Sequence, residues 1–147
     1  MDRAIELANN SPGGPFGAVI VDEEGKVIGE GHNEVTVNND PTAHAEVVAI
    51  RRACANINNF NLEKCTIYTS CEPCPMCLSA CYWARLNKIY YCNTREDAAN
   101  IGFSDDFIYN EFKKTANERC IPIVKVDNVE AIKTFERWNK NEEKIEY

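Results

Sequence analysis

The chain has 147 residues, 44% hydrophobic and 27% charged, with a formal net charge of −7. That length and composition describe one globular domain able to bury an ordinary core, and no apolar run approaches the ~20 residues a membrane helix needs. An excess of Asp and Glu, 23 against 16 Lys and Arg, argues against nucleic acid as a partner, because phosphate contacts demand clustered cations.

In chain order, Ala4, Ile5, Leu7 and Ala8 predict a short amphipathic helix over residues 2–10, stopped by Gly13-Gly14-Pro15. Phe16 to Val21 reads as a buried strand, and Val27 to Gly31 as its hairpin partner across Asp22-Glu23-Glu24-Gly25-Lys26. A polar loop ends in Asp40-Pro41, an N-cap followed by Pro at the first helical position, and predicts a helix to about Ala55. Thr66 to Thr69 is strand-like, Pro75 to about Leu86 helical, and Lys88 to Cys92 a further strand. Residues 94–120 carry mixed signals. Ile121 to Val126 reads as a fifth strand and Val129 to about Lys144 as a terminal helix with Ile132, Phe135 and Trp138 spaced at three. A hairpin followed by strand–helix alternation predicts an α/β fold, a three-layer α/β/α sandwich around a mixed five-stranded sheet.

The chemistry concentrates in two short segments. His44-Ala45-Glu46 and Pro73-Cys74-Pro75-Met76-Cys77 together form H-x-E…P-C-x-x-C, the signature of zinc deaminases. One imidazole and two thiolates are three protein ligands for Zn²⁺, and the fourth position stays open for chemistry. Cys74 precedes Pro75 and so falls at an N-cap, with Cys77 one turn on. The helix N-terminus favours thiolate over thiol. His44 falls near the start of the other helix, so one zinc per chain is expected between two helix N-termini. His44 and Glu46 are two apart, which on a regular helix turns them to different sides unless both lie at the helix entry. There Glu46 would stand beside the metal without binding it and carry protons.

Other readings of the cysteines stay open at this level. Cys71, Cys74, Cys77 and Cys81 have the spacing of an iron–sulfur run, although Tyr82 follows where Pro is expected. A closed structural zinc with Cys71 or Cys81 as fourth ligand is a second option. Neither gives Glu46 a reason to stand beside His44. Cys54, Cys65, Cys92 and Cys120 read as small buried apolar residues, and His32 as a surface or hydrogen-bonded side chain. The eight cysteines also have the parity of a disulfide framework. The charged start Met1-Asp2-Arg3-Ala4-Ile5-Glu6 is too polar for a secretory leader, so reduced thiols and a cytoplasmic location are expected.

The segments Gly13-Gly14-Pro15-Phe16-Gly17-Ala18-Val19-Ile20-Val21, Asn38 to Glu46, Tyr68 to Cys77 and Tyr82-Trp83-Ala84-Arg85 resemble the cytidine deaminase superfamily. Within it, Asp97-Ala98-Ala99, Gly102-Phe103 with the acidic pair, Phe107-Ile108-Tyr109 and the end through Trp138 to Glu146-Tyr147 resemble the bacterial guanine deaminases. The resemblance covers nearly the full length. It implies one deaminase domain over residues 1–147 that hydrolyses guanine, a small purine base, to xanthine and ammonia. Attack falls at C2 and Glu46 protonates N3. It also implies that Asn33 orients the purine, that Phe16 and Trp83 sandwich it, and that Ala45 lines the same site. Asp105 matches the second acid, although Ser104-Asp105-Asp106 departs from the Asp-Asp-Ser order of the family and leaves Asp106 as the alternative. Cys81 stands where the family has an aliphatic residue. The family forms a homodimer in which the C-terminal segment, here from about 110 to 147, is exchanged between subunits, so that Tyr147 closes the partner's pocket. A tRNA adenosine deaminase, a nucleoside deaminase and a non-catalytic zinc-binding module are the competing functions.

Overall fold

A computed structural model describes residues Met1–Tyr147. The chain folds into two compact units, Met1–Asp106 and Phe107–Tyr147.

The first unit is built on strands β1 (Gly17–Val21), β2 (Val27–His32), β3 (Thr66–Cys71) and β4 (Lys88–Asn93), in the spatial order β2-β1-β3-β4. β1 pairs antiparallel with β2 and β3, and β3 pairs parallel with β4. The hairpin turn is held by Asp22, whose Oδ1 accepts the backbone N–H groups of Glu24 and Lys26, with Gly25 at φ 81°. Helices α1 (Asp2–Asn9), α2 (Val35–Asn38), α3 (Ala45–Ile57), α4 (Pro75–Trp83) and α5 (Arg95–Asn100) complete this unit, and α6 (Asp106–Phe112) starts at its last residue. The β3–α4–β4 segment is a crossover joining parallel neighbours, the connection such pairs require.

Register assigns each face its partner. Ala18 lies across from Gly31 and Thr69, and Ile20 across from Gly29 and Ile67. This face is covered by α3. A Cβ on Gly29 would come within 2.5 Å of Ala49 O, and one on Gly31 within 2.2 Å of Ala45 O. Only glycine there lets the helix backbone lie directly on the strand, and the helix answers with the small residues Ala45, Ala49 and Ala53, all fully buried. Ile20, Ile28, Leu62, Ile67, Cys81 and Ala84 fill the rest of this core. The opposite face carries Gly17, whose Cβ would collide with Ala4 O of α1, and the Tyr68–Tyr90 pair, stacked at 5.1 Å. Helices therefore cover both faces of a mixed sheet.

The structure differs from the sequence reading in several places. The sheet has four strands and not five. Residues 121–126 make no ladder, and Ile121, Ile123, Val124 and Val126 are exposed; an apolar run without a strand edge beside it has no partner for its amides. The helix expected from Pro41 begins instead at Ala45. Asp40 spends its capping capacity on a local turn, with Oδ1 accepting from Thr42 N and the Asp40 carbonyl accepting from Ala43 N. α4 stops at Trp83 and not near Leu86, because Arg85 turns to φ 59°. Cys92 and Cys120 are exposed, since β4 is an edge strand and Cys120 lies in irregular chain; Cys65 alone of the four is fully buried. A short helix, α2, occupies the polar loop where none was expected.

The second unit carries most of α6, a single 3₁₀ turn at Ala116–Glu118 and α7 (Val129–Lys140). Asn128 caps α7 through Oδ1, which accepts from Glu130 N at 2.8 Å. None of its residues is buried.

No helix is long and apolar enough to cross a membrane.

Candidate metal centre and active site

Two helix N-termini of the first unit define the site. His44 is the N-cap of α3, with extended backbone (φ −67°, ψ 154°), and its carbonyl accepts from Val48 N. Cys74 is the N-cap of α4 (φ −62°, ψ 168°), with Pro75 at the first helical position and its carbonyl accepting from Leu78 N. The extended N-cap resolves the spacing difficulty. His44 leaves the chain before helical periodicity begins, whereas Glu46 sits inside the first turn, so the two side chains reach the same region.

His44 Nδ1 lies 3.6 Å from Cys74 Sγ and 3.5 Å from Cys77 Sγ, and the three ligand atoms fall within 4.8 Å of one another. A tetrahedral ion with ordinary Zn–N and Zn–S bonds separates its nitrogen and sulfur ligands by about 3.6 Å. The donor set, one imidazole and two sulfurs, and its spacing both fit zinc. Nδ1 is the ring nitrogen turned to the sulfurs.

Electrostatics supports the same assignment. Cys74 is pulled down to about 4, chiefly by the hydrogen bond from Cys77 and then by His44. Cys77 is pushed strongly up, first by its hydrogen bond to Cys74 and then by burial. The two sulfurs thus hold a thiolate and a thiol. His44 is raised, mainly by the hydrogen bond with Cys74. Glu46, 6% exposed, is raised by burial and accepts a hydrogen bond from Cys77. A buried carboxyl of raised pKa beside a metal site is suited to pick up and release a proton.

Cys71 and Cys81 stand outside this group. The Cys71 thiol donates to Thr94 O at 3.5 Å, and Cys81 packs in the apolar core. Burial pushes them up to about 11 and about 12 respectively, and neither belongs to the group of ligand atoms that lie within 4.8 Å of one another. Nothing here assembles the four sulfurs of an iron–sulfur centre or a closed zinc.

Asn33 follows β2 and is buried. Its Oδ1 accepts from Val35 N at 3.1 Å, which turns the Nδ2 donor the other way. Phe16 precedes β1 and meets Phe103 edge-to-face, with centroids 4.9 Å apart. Ala45 is fully buried under Gly31, and Trp83, the last residue of α4, is 67% exposed. Tyr147 belongs to the second unit and is 72% exposed. Asp105 is half-buried and raised, first by burial, with an added push from the Cys74 charge. Asp106 is exposed and paired with Arg95. Asp105 feels both the Arg95 cation, which opposes the rise, and the Cys74 charge, whereas Asp106 is the one hydrogen-bonded to Arg95.

Three neighbours had no assigned role in the sequence reading. Phe103 braces Phe16, Arg95 occupies Asp106, and Thr69 places a buried hydroxyl 3.4 Å from Glu46 Oε1. Thr69 had a legible signal, a polar residue on the core-facing parity of a strand between Ile67 and Cys71.

Comparison with known proteins supports this chemistry. Residues 1–93 match the model of the cytidine and deoxycytidylate deaminase zinc-binding region. The chain is 51% identical to a guanine deaminase of Bacillus subtilis over 100% of this chain and 96% of the relative. A crystal structure of guanine deaminase from that organism superposes with a TM-score of 0.94, covering 99% and 95% of the two chains. A tRNA-specific adenosine deaminase of Haemophilus influenzae is 33% identical, over 99% of this chain and 86% of the relative. A guanine deaminase structure from Nitrosomonas europaea aligns at 30% identity and a TM-score of 0.67, over 71% of this chain and 62% of that one. With its three-ligand zinc site and the adjoining Glu46, this chain belongs to the cytidine and deoxycytidylate deaminase family of zinc-dependent hydrolases.

Proposed function

We propose that this protein hydrolyses guanine to xanthine and ammonia. The observation that carries the substrate is the full-length match at 51% identity to a guanine deaminase, which extends through the C-terminal part beyond the shared zinc region. The net charge of −7 weighs against tRNA, whose phosphates need a basic surface.

His44, Cys74 and Cys77 hold the zinc, which when bound supplies Lewis acidity that makes a water nucleophilic near neutral pH. Glu46 takes one proton from the attacking water and passes it to N3 of the base, then takes the second water proton, left on the oxygen at C2, for the departing amine. Asp105 relays that second proton; Asp106 is occupied by Arg95. Asn33 offers its Nδ2 donor to an acceptor on the purine edge, with its orientation held by the Val35 N–H. Phe16, braced by Phe103, gives the flat ring an apolar wall. Ala45 lines the floor, and Trp83 forms the opposite aromatic wall.

The working form is a homodimer. Ile121, Val124, Val126, Val129, Phe135 and Ile145 all lie two-thirds or more exposed in the single chain. So much apolar surface on one segment calls for a covering partner. Exchange of the segment from about 110 to 147 between two copies supplies that cover and brings Tyr147 over the partner's site, excluding water from it.

The test is ammonia release from guanine, guanosine, cytosine, cytidine, adenine and tRNA by zinc-loaded protein. Guanine is expected to be the fastest by a wide margin, because a mismatched base leaves buried polar groups unpaired. Faster release from tRNA or cytidine overturns the substrate assignment.

A further inference from the structure

Thr69 is the feature that this mechanism leaves unexplained. It sits on β3 with only 1% of its surface exposed, on the face that packs against α3. Its neighbours on that face, Ile67 and Cys71, are buried and apolar in character. A hydroxyl there costs free energy unless it is hydrogen-bonded, and valine would fill the same volume without that requirement. The hydroxyl has two partners. Oγ1 lies 3.0 Å from Cys71 O and 3.4 Å from Glu46 Oε1. A hydroxyl carries one proton and two lone pairs, so it can donate to one of these oxygens at a time and still accept.

We propose that Thr69 is a positioning residue for Glu46. Its buried hydroxyl, fixed at the end of β3 beside the Cys71 carbonyl, reaches Glu46 Oε1 and holds that carboxyl at one place in the site. This role rests on the assignment of Glu46 as proton carrier in the reading above.

The experiment compares wild type with Thr69→Val, which keeps the shape and removes the hydroxyl, and Thr69→Ser, which keeps the hydroxyl. Zinc content and circular dichroism are checked on each. Two readings follow. The first is the kcat and KM split on guanine. Thr69→Val is expected to lose about 10- to 100-fold in kcat, the consequence of losing a hydrogen bond to a charged group, with KM little changed. Thr69→Ser is expected to recover most of the rate. The second reading needs no turnover. It is the infrared carboxyl band of Glu46 in protein with isotope-labelled glutamate, identified by its disappearance in Glu46→Gln. That band is expected to shift in Thr69→Val and to return in Thr69→Ser. Should Thr69→Val lose zinc, both readings are taken on Thr69→Ala. An unshifted band, a kcat within twofold of wild type, or a Ser variant no better than Val overturns the proposal. A wild-type protein inactive on guanine but active on another base refutes the substrate alone, and the kinetic comparison then runs on that base.

Discussion

Zinc uptake must displace protons from its ligands, and the charge states of the ligands set how many. At pH 7 Cys74, pulled down to about 4, is already a thiolate and has no proton to give. Cys77, pushed up by its hydrogen bond to Cys74 and by burial, is a thiol and must lose one. His44, raised by the Cys74 hydrogen bond, is shifted toward its protonated form and gives up whatever proton it carries, because the metal takes the neutral imidazole. Release of about one to two protons per zinc is therefore expected. The sign follows directly: ligand protons compete with the metal, so affinity strengthens as pH rises. Each proton released steepens the dependence by about tenfold per pH unit, or ~1.4 kcal/mol. The assay is calorimetry of zinc into metal-free protein at pH 7 in buffers of different ionisation enthalpy, with zinc affinity measured against pH in parallel. A release near zero means both thiols ionise before the metal arrives, and a release near three means Cys74 is not pre-ionised; either refutes the pairing of thiolate and thiol.

Glu46→Gln is expected to keep one zinc per chain, by elemental analysis, and to lose about 10²- to 10⁴-fold in kcat, since it removes a proton carrier and no ligand. Asp105→Asn should slow turnover far more than Asp106→Asn, because Asp106 is occupied by Arg95; equal effects in steady-state kinetics would reverse the assignment of the second acid. Gly31→Ala should destabilise by about 1–3 kcal/mol or more in urea melts and weaken zinc binding, since the new Cβ meets Ala45 O at 2.2 Å and pushes the entry of α3 away. Deleting Glu146-Tyr147 should weaken guanine turnover while zinc content and melting temperature stay nearly constant; unchanged kinetics, or a fully active monomer in ultracentrifugation, would show that the tail only packs.

Local chemistry made much of this protein legible from sequence. Pro75 after Cys74 marks a helix start because proline suits the first helical position, and the structure has α4 begin there. The hairpin around Gly25 and the alternation of strands and helices likewise follow from backbone preference and periodicity, which act within a few residues. The zinc ligands were readable for the same reason: metal chemistry demands a small set of donor types at short spacing.

What sequence could not decide depended on partners distant in the chain. Asp40-Pro41 has the form of a helix start, yet Asp40 closes a turn, and the helix waits for His44. That shift of four residues places the imidazole on an extended N-cap and Glu46 in the first turn. Residues 121–126 have the composition of a strand, but a strand exists only where another edge offers hydrogen bonds, and no ladder forms there in the single chain. The resemblance matched Asp105 to the second acid and left Asp106 as the alternative; the Arg95 hydrogen bond to Asp106 now distinguishes the two. Thr69 was an ordinary strand residue until register put it across from Ala18 on the α3 face, within reach of Glu46. Sequence by itself determined the donor set and the class of reaction. Tertiary structure decided which carboxyls, hydroxyls and thiols remain free to act, because burial and hydrogen-bond partners come only from the packing of elements that lie far apart in the chain.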